Sequence, residues 1–427
     1  MEYEATKAVL VGLCTDDAEA AETETSMNEL ERLLDTAGGI CVARLTQNKE
    51  RPDPRTLIGS GKVQELAALC HGNDVGLVVF DEELSPSQIR NLEDALGDDV
   101  RVIDRSMLIL DIFALHAVTR EGKLQVELAQ LKYTAPRLTG HGKDMSRLGG
   151  GIGTRGPGES KLESDRRHMK HRIVALEEEL RVLDKNRQTM RASRDRSGIP
   201  KIAIVGYTNA GKSSLLNRLT DAGILAEDKL FATLDPTTRK FDLPTGESVL
   251  LTDTVGFIRK LPHHLIKAFR STLDEAVFAD ALMIVVDVSD PEYPAQLAVT
   301  EKLLEELSVS GKPTLYVFNK CDLGAAGLPS VGVPAEHDMT VFVSAKTGQG
   351  IDLLTDRLQE IIHMGKYRIV FHVPNSEARA LNILYRDATV EDVEYGNEKM
   401  LVTAVVDRRV HGMLKRFDPD WKDEERE

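Results

Sequence analysis

The sequence predicts an α/β chain in four units: an N-terminal parallel α/β domain, an antiparallel helical hairpin, a P-loop domain, and a small α+β end piece. Three observations carry this. Short apolar runs alternate with amphipathic stretches over two separate spans, the pattern of strand–helix–strand crossovers. Between those spans lie two long helical patterns on either side of a glycine-rich break. A GxxxxGK[ST] motif opens the second span at the end of an apolar strand.

The elements follow in order. Within residues 1–104, KAVLVGL, ICVARLT, VGLVVFDE and VRVID read as strands. SMNELERLLDTAGG, GKVQELAALCHG and SPSQIRNLEDALG between them read as helices. From Arg105 to Leu138 the period is helical, with Leu108, Ile112, Leu115, Leu124, Leu128 and Leu131 on one stripe. The run LTGHGKDMSRLGGGIGTRGPGE then breaks it. Eight of residues 139–158 are glycine, far above the usual ~7%, so 139–160 reads as a tip loop that cannot bury enough apolar surface to order itself. A second long helix follows, with Met169, Ile173, Leu176, Leu180, Leu183 and Met190 at heptad a/d positions and Arg187 interrupting the seam. The hairpin is assigned to 105–198, the P-loop domain to 199–364 and the end piece to 365–427. That end piece holds YRIVFHV, SEARALNILYRD, TVEDVEY and KMLVTAVV, a βαββ pattern, and then an acidic tail.

Composition bounds the class. The 427 residues carry 54 Lys and Arg against 69 Asp and Glu, a net charge of −15, and are 41% apolar. Those values exclude a mainly disordered chain. Glu2 and Glu4 stand where a secretory signal carries basic residues, and the longest apolar stretch, ALMIVVDV, is strand-length. Cys14, Cys41, Cys70 and Cys321 form no CxxC pair. The expectation is a cytoplasmic protein with reduced thiols and no membrane span, monomeric when free.

The chemistry sits in five short segments. Gly206-Tyr207-Thr208-Asn209-Ala210-Gly211-Lys212-Ser213, followed by Ser214, is a complete phosphate cradle. Its backbone N–H groups face the phosphates, Lys212 meets the β/γ oxygens, and Ser213 ligates Mg²⁺. Asn319-Lys320-Cys321-Asp322 and Ser344-Ala345-Lys346 each end an apolar strand. A carboxylate placed like Asp322 accepts from both guanine N1–H and the 2-amino group, donors that adenine lacks. In Asp253-Thr254-Val255-Gly256 the carboxylate holds the metal through water, and the Gly256 amide senses the γ-phosphate. In Phe231-Ala232-Thr233-Leu234-Asp235, Thr233 is the switch residue for Mg²⁺, ranked above Thr237 and Thr238. Lys212, Thr233 and Gly256 are therefore the expected catalytic groups. The nucleotide is GTP, or GDP after hydrolysis.

GYTNAGKS, FATLDPT, DTVGF and NKxD, with the loop GGGIGTRGPGESKLESDRR and the upstream RTLIGSGKVQEL, resemble the HflX family of translational GTPases over residues 1–364. The resemblance implies a Ras-like G domain, GTP hydrolysis, binding to the large ribosomal subunit and splitting of stalled ribosomes. It also implies Asn319 on guanine with Asp322, and Ser344-Ala345 behind the base. Phe257 follows DTVG where a Ras-type enzyme has a water-orienting Gln, so intrinsic hydrolysis is expected to be slow until a partner completes the site. The resemblance further suggests a second nucleotide, ATP, near Gly59-Ser60-Gly61-Lys62. Short glycine turns between strand and helix are common, and a plain structural turn is the preferred reading.

Charge is unevenly placed. Residues 137–196 hold 15 Lys and Arg against 9 Asp and Glu, a net +6, while the other 367 residues hold 39 against 60, a net −21. Lys143, Arg147, Arg155, Lys161, Arg166 and Arg167 sit in or beside the loop and are the expected nucleic-acid contacts, which the resemblance implies are to ribosomal RNA. Two other functions stay open on the residues alone. One is a GTP-gated RNA-binding or chaperone module with incidental hydrolysis. The other is a P-loop kinase or ATPase, against which the guanine-reading segments argue.

Overall fold

A computed structural model of the chain describes residues 6–16, 20–137, 157–195, 199–220, 229–262, 265, 270–309, 311–323, 339–364 and 366–419. The first sheet orders its strands β2-β1-β3-β4, with β1 Lys7–Cys14, β2 Ile40–Asn48, β3 Leu77–Phe80 and β4 Arg101–Asp104. Every pairing is parallel, because each strand returns through a helix: α1 Ala20–Thr36, α2 Ser60–Asn73 or α3 Pro86–Leu96. Burial on both faces demands apolar strands, and β1 is buried from Ala8 to Cys14. Helix α3 starts on a full capping box. Ser85 Oγ accepts from the Gln88 amide at 3.3 Å, and the Gln88 side chain accepts from the Ser85 amide at 2.9 Å.

The single helix expected from Arg105 to Leu138 is two, α4 Arg105–His116 and α5 Arg120–Thr134. Thr119 is extended and caps α5, its hydroxyl accepting from the Gly122 amide at 2.9 Å. Leu108, Ile112 and Leu124 of the expected stripe are buried, but Leu115, beside the break, is 66% exposed. Helix α6, Pro157–Asp195, packs on α5. Arg172 holds Glu127 through two 2.7 Å bonds and Arg187 lies 3.2 Å from Glu121, so these pairs run in opposite directions along the two helices. Arg187, which breaks the apolar seam, is thus an ion-pair partner across it. Leu176 is fully buried, and Met169, Ile173, Leu180 and Leu183 are half-buried. Arg166 and Arg167 are exposed on α6. Lys143, Arg147, Arg155 and the side chain of Lys161 lie outside the described residues.

The second sheet runs β10-β9-β8-β5-β7-β6. Its strands are β5 Lys201–Gly206, β6 Thr237–Asp242, β7 Ser248–Asp253, β8 Ala281–Asp287, β9 Thr314–Asn319 and β10 Thr340–Phe342. All pairs are parallel except the β6–β7 edge. The phosphate loop, DTVG, NKCD and SAK therefore all leave the carboxyl edge of one parallel sheet, where α/β folds bind ligands. Helix α7, Lys212–Thr220, opens from the phosphate loop, and α8 Arg270–Phe278, α9 Tyr293–Glu306 and α10 Ile351–His363 complete this unit. One apolar core joins it to the first: Ile109 and Phe113 of α4 belong to the same cluster as Phe231, Val255 and Phe257.

The last sheet, β11-β13-β12, is antiparallel and comprises Lys366–Pro374, Lys399–Asp407 and Thr389–Tyr395. Helices α11 Ala378–Asp387 and α12 Arg408–Leu414 pack on it, one more helix than the expected βαββ. Among the described residues no helix is long and apolar enough to cross a membrane.

Candidate functional site

Strand β5 delivers the phosphate loop, and the helix α7 that follows points its free N–H groups back at it. Gly211 adopts φ +91°, and a Cβ there would come within 2.3 Å of Asn319 Nδ2. That closeness is used. Asn319 donates from Nδ2 to the Ala210 carbonyl at 2.9 Å, and its Oδ1 accepts from the Ala345 amide at 3.0 Å. Asn319 is buried and braces the phosphate loop against the SAK segment. Asp322 beside it is half-buried. Lys320, in the left-handed region, pairs with Asp287 at 2.7 Å. Ser344 is fully buried and accepts from the Thr347 amide at 3.1 Å, while Lys346 is exposed.

Lys212 is buried, and its ammonium donates to the carbonyls of Tyr207 at 2.8 Å and Gly206 at 3.2 Å. Burial, opposed by the nearby Asp253 carboxylate, brings its pKa down to about 8. The same cavity is lined by Thr208, Asn209, Ser214, Ala232, Thr233 and Gly256.

Three residues from separate segments meet beside Lys212. Ser213 Oγ lies 2.8 Å from Thr233 Oγ1 and donates to Asp253 Oδ2 at 2.6 Å. Burial pushes the Asp253 carboxyl up, against the opposing pull of Lys212 and the hydroxyls of Ser213 and Thr233. Its other oxygen, Oδ1, is buried with no hydrogen-bond partner among the described residues. Two hydroxyls and an orphaned carboxylate oxygen fit a hard, oxygen-seeking cation that also takes phosphate and water ligands. Thr237 and Thr238 do not join them. Both open β6, where Thr238 bonds to Thr252 across the strands at 3.0 Å.

Other expected residues serve differently. The Phe231 amide donates to Thr208 Oγ1 at 2.7 Å, its φ is +56°, and its ring stacks edge-on to Phe113 at 4.8 Å. Leu234 is buried in the shared core. Tyr207 turns away from the cavity. Its phenol donates to Glu29 of α1 and accepts from the Arg259 amide at 2.8 Å. Burial and Glu29 raise its pKa, so it stays a donor. Phe257 is 1% exposed beneath the loop. At the amino end of α2, Lys62 is engaged with Glu65 at 2.9 Å and the Gly59 amide with Gln47 at 2.8 Å.

A buried ionic cluster escaped the sequence reading. Arg105, 2% exposed, donates to Asp81 at 2.6 Å and to Glu29 at 2.7 Å, and Ser26 donates to Asp81 at 2.7 Å. Lys260, four residues past Gly256, donates to the same Asp81. The only sequence signal was position: Asp81 and Arg105 follow directly on β3 and β4, at the carboxyl edge of a parallel sheet.

Residues 24–114 match the family model described as GTP-binding GTPase N-terminal, and 116–194 match GTP-binding GTPase Middle Region. Residues 201–320 match 50S ribosome-binding GTPase. GTPase HflX of Lacrimispora saccharolytica is 50% identical over 408 residues, covering 96% of this chain and 95% of that protein. GTPase HflX of Escherichia coli is 42% identical over 366 residues, covering 86% and 85%. Among solved structures, a GTP-binding protein from Sulfolobus solfataricus in complex with GDP is 27% identical, with TM-score 0.44, covering 84% of this chain and 99% of that one.

Proposed function

The chain belongs to the HflX family of GTPases, and from that footing we propose that it binds the large ribosomal subunit and splits stalled ribosomes. It is a P-loop enzyme that hydrolyses GTP. The proposal adds that the ribosomal subunit stimulates this hydrolysis, and that Mg²⁺ is the cation at Ser213, Thr233 and Asp253.

One observation carries the stimulation. The side chain of the residue after DTVG offers no hydrogen bond, and its ring is locked in the core instead of facing the cavity. Lys212, the Gly256 amide and the loop amides bind and orient the γ-phosphate. Nothing at position 257 orients the attacking water, so a partner must complete that task. When bound, Mg²⁺ would neutralise charge on the β and γ oxygens. Asp322 reads guanine, and Asn319 acts as the brace that holds base and phosphate subsites in register. The exposed Arg166 and Arg167, with the basic residues of the tip segment, supply salt-dependent contacts to ribosomal RNA.

The test is light scattering of intact ribosomes mixed with the protein and either GTP or GDP. Splitting with GTP and little with GDP is the expected result. Equal scattering with both, under conditions where the protein hydrolyses GTP, would favour a GTP-gated RNA-binding module in place of a splitting factor.

A further inference from the structure

We propose that Asp235 is a positioning residue: gripped by the N-cap Thr119 of α5 and by Val118 before it, it holds the segment that presents Thr233 to the γ-phosphate and cation. This rests on the reading of Thr233 given above.

The contact is dense for two residues that stand 116 positions apart. Asp235 Oδ2 accepts from the amides of Val118 at 2.9 Å and Thr119 at 2.8 Å. Its Oδ1 accepts from the Thr119 hydroxyl. That hydroxyl also caps α5 at the Gly122 amide, so the carboxylate and the cap share one hydrogen-bond system. A carboxylate at a helix start meets the positive end of the helix dipole as well as charge-assisted donors.

The chain around Thr233 is fixed on both sides. Upstream, Phe231 is tied to the phosphate loop through Thr208 and to α4 through Phe113. Downstream, Leu234 is buried and Asp235 is held by α5. Only two residues separate Phe231 from Leu234, so Thr233 has little freedom once both anchors are set. The downstream anchor comes from outside the G domain. The kink at residues 117–119, which splits the expected single helix, is what exposes the amides that Asp235 needs.

Coupling of this kind is reciprocal. If the grip on Asp235 favours the Thr233 conformation that recognises the γ-phosphate, then binding of the γ-phosphate must favour the grip. GDP, which lacks that phosphate, draws on the contact far less. The helical arm beginning at Thr119 thereby senses which nucleotide is bound.

Gly122 gives a clean perturbation. A Cβ there would lie 2.5 Å from Asp235 Oδ1 and 3.2 Å from Cγ. Gly122→Ala improves helix propensity within α5 yet displaces the carboxylate. The experiment measures affinity of the full chain for GDP and for a non-hydrolysable GTP analogue with Mg²⁺, in wild type, Thr119→Val, Thr119→Ser, Gly122→Ala and Thr233→Ala. Deuterium exchange of the 116–124 peptide is followed with each nucleotide. Thr119→Val and Gly122→Ala are expected to lose about tenfold in analogue affinity, the worth of one charge-assisted bond, with GDP affinity unchanged. Thr119→Ser should retain wild-type preference, Gly122→Ala should still unfold as one cooperative transition, and the analogue should protect the peptide more than GDP does. Equal losses for both nucleotides, or none for either while Thr233→Ala loses the analogue, would overturn the role of Asp235 and leave that of Thr233 standing. No effect of Thr233→Ala would remove the reading beneath it as well.

Discussion

The amide of Thr208 donates to the carbonyl of Phe257 at 2.7 Å, and the Phe257 amide donates back to Gly206 at 3.0 Å. The residue that follows DTVG is therefore sewn to the phosphate loop as a short parallel bridge, with its ring in the core shared by the first two α/β units.

A glutamine at 257 should not convert this protein into a Ras-type enzyme. Phe257→Gln would place a carboxamide among buried apolar side chains with no partner and leave a void where the ring was. The expected loss of stability is about 2–4 kcal/mol by denaturant unfolding. Single-turnover hydrolysis without ribosomes should not rise. An accelerated intrinsic rate would show that the side chain can swing into the cavity.

Guanine selectivity should follow Asp322. In Asp322→Asn the new amide donor faces the donors of guanine, and GTP affinity should fall by about 100-fold or more. Xanthosine triphosphate, which presents an acceptor at that position, should bind the variant better than GTP does. Competition against a fluorescent nucleotide reads both changes.

Nucleotide affinity should weaken at alkaline pH. The Lys212 ammonium sits near pKa 8 in the free protein, and phosphate oxygens can only raise that value. Binding above pH 8 must then take up a proton, so affinity should drop by about tenfold per pH unit until the bound-state pKa is passed. For folding without nucleotide the sign is opposite. The unfolded lysine binds its proton up to 10.5, so this group adds stability as pH rises from about 8 to that value. Titration calorimetry at pH 9 in buffers of different ionisation enthalpy would detect the uptake.

Much of this architecture was legible because it is local. A strand, a glycine-rich turn and a helix start within one stretch specify the phosphate cradle, and NKCD and SAK each follow an apolar strand. What escaped depends on distant partners. The stripe from Leu108 to Leu131 looks continuous, yet the chain breaks at Thr119, a cap that also meets Asp235 from another unit. Asn319 reads as a base contact, and the brace that it also forms between Ala210 and Ala345 shows only once the two segments are brought together. Strand β6 was hidden by its polar sequence, TTRKFD, which suits an edge that pairs on one side only.

The buried cluster around Arg105 should be costly to break. Burial raises the Asp81 carboxyl, but Arg105 and Lys260 outweigh it and leave the group below the ordinary carboxylate range. Arg105→Met leaves the buried Asp81 to Lys260 and Ser26 alone, and up to about 3–5 kcal/mol of stability should be lost in urea unfolding at neutral pH. The Asp81 contribution in wild type is present above the unfolded carboxylate pKa and disappears as pH falls through the lower folded value. The difference between wild type and variant should therefore shrink in acid.

The central claim is that this GTPase depends on the ribosome to complete its catalytic site. It is tested most directly by steady-state GTP hydrolysis with and without purified large subunits, repeated across a salt series. Large subunits should stimulate hydrolysis on the order of tenfold or more, and the effect should fade as salt screens the basic residues from RNA. A rate that does not respond to subunits at any salt concentration would contradict it.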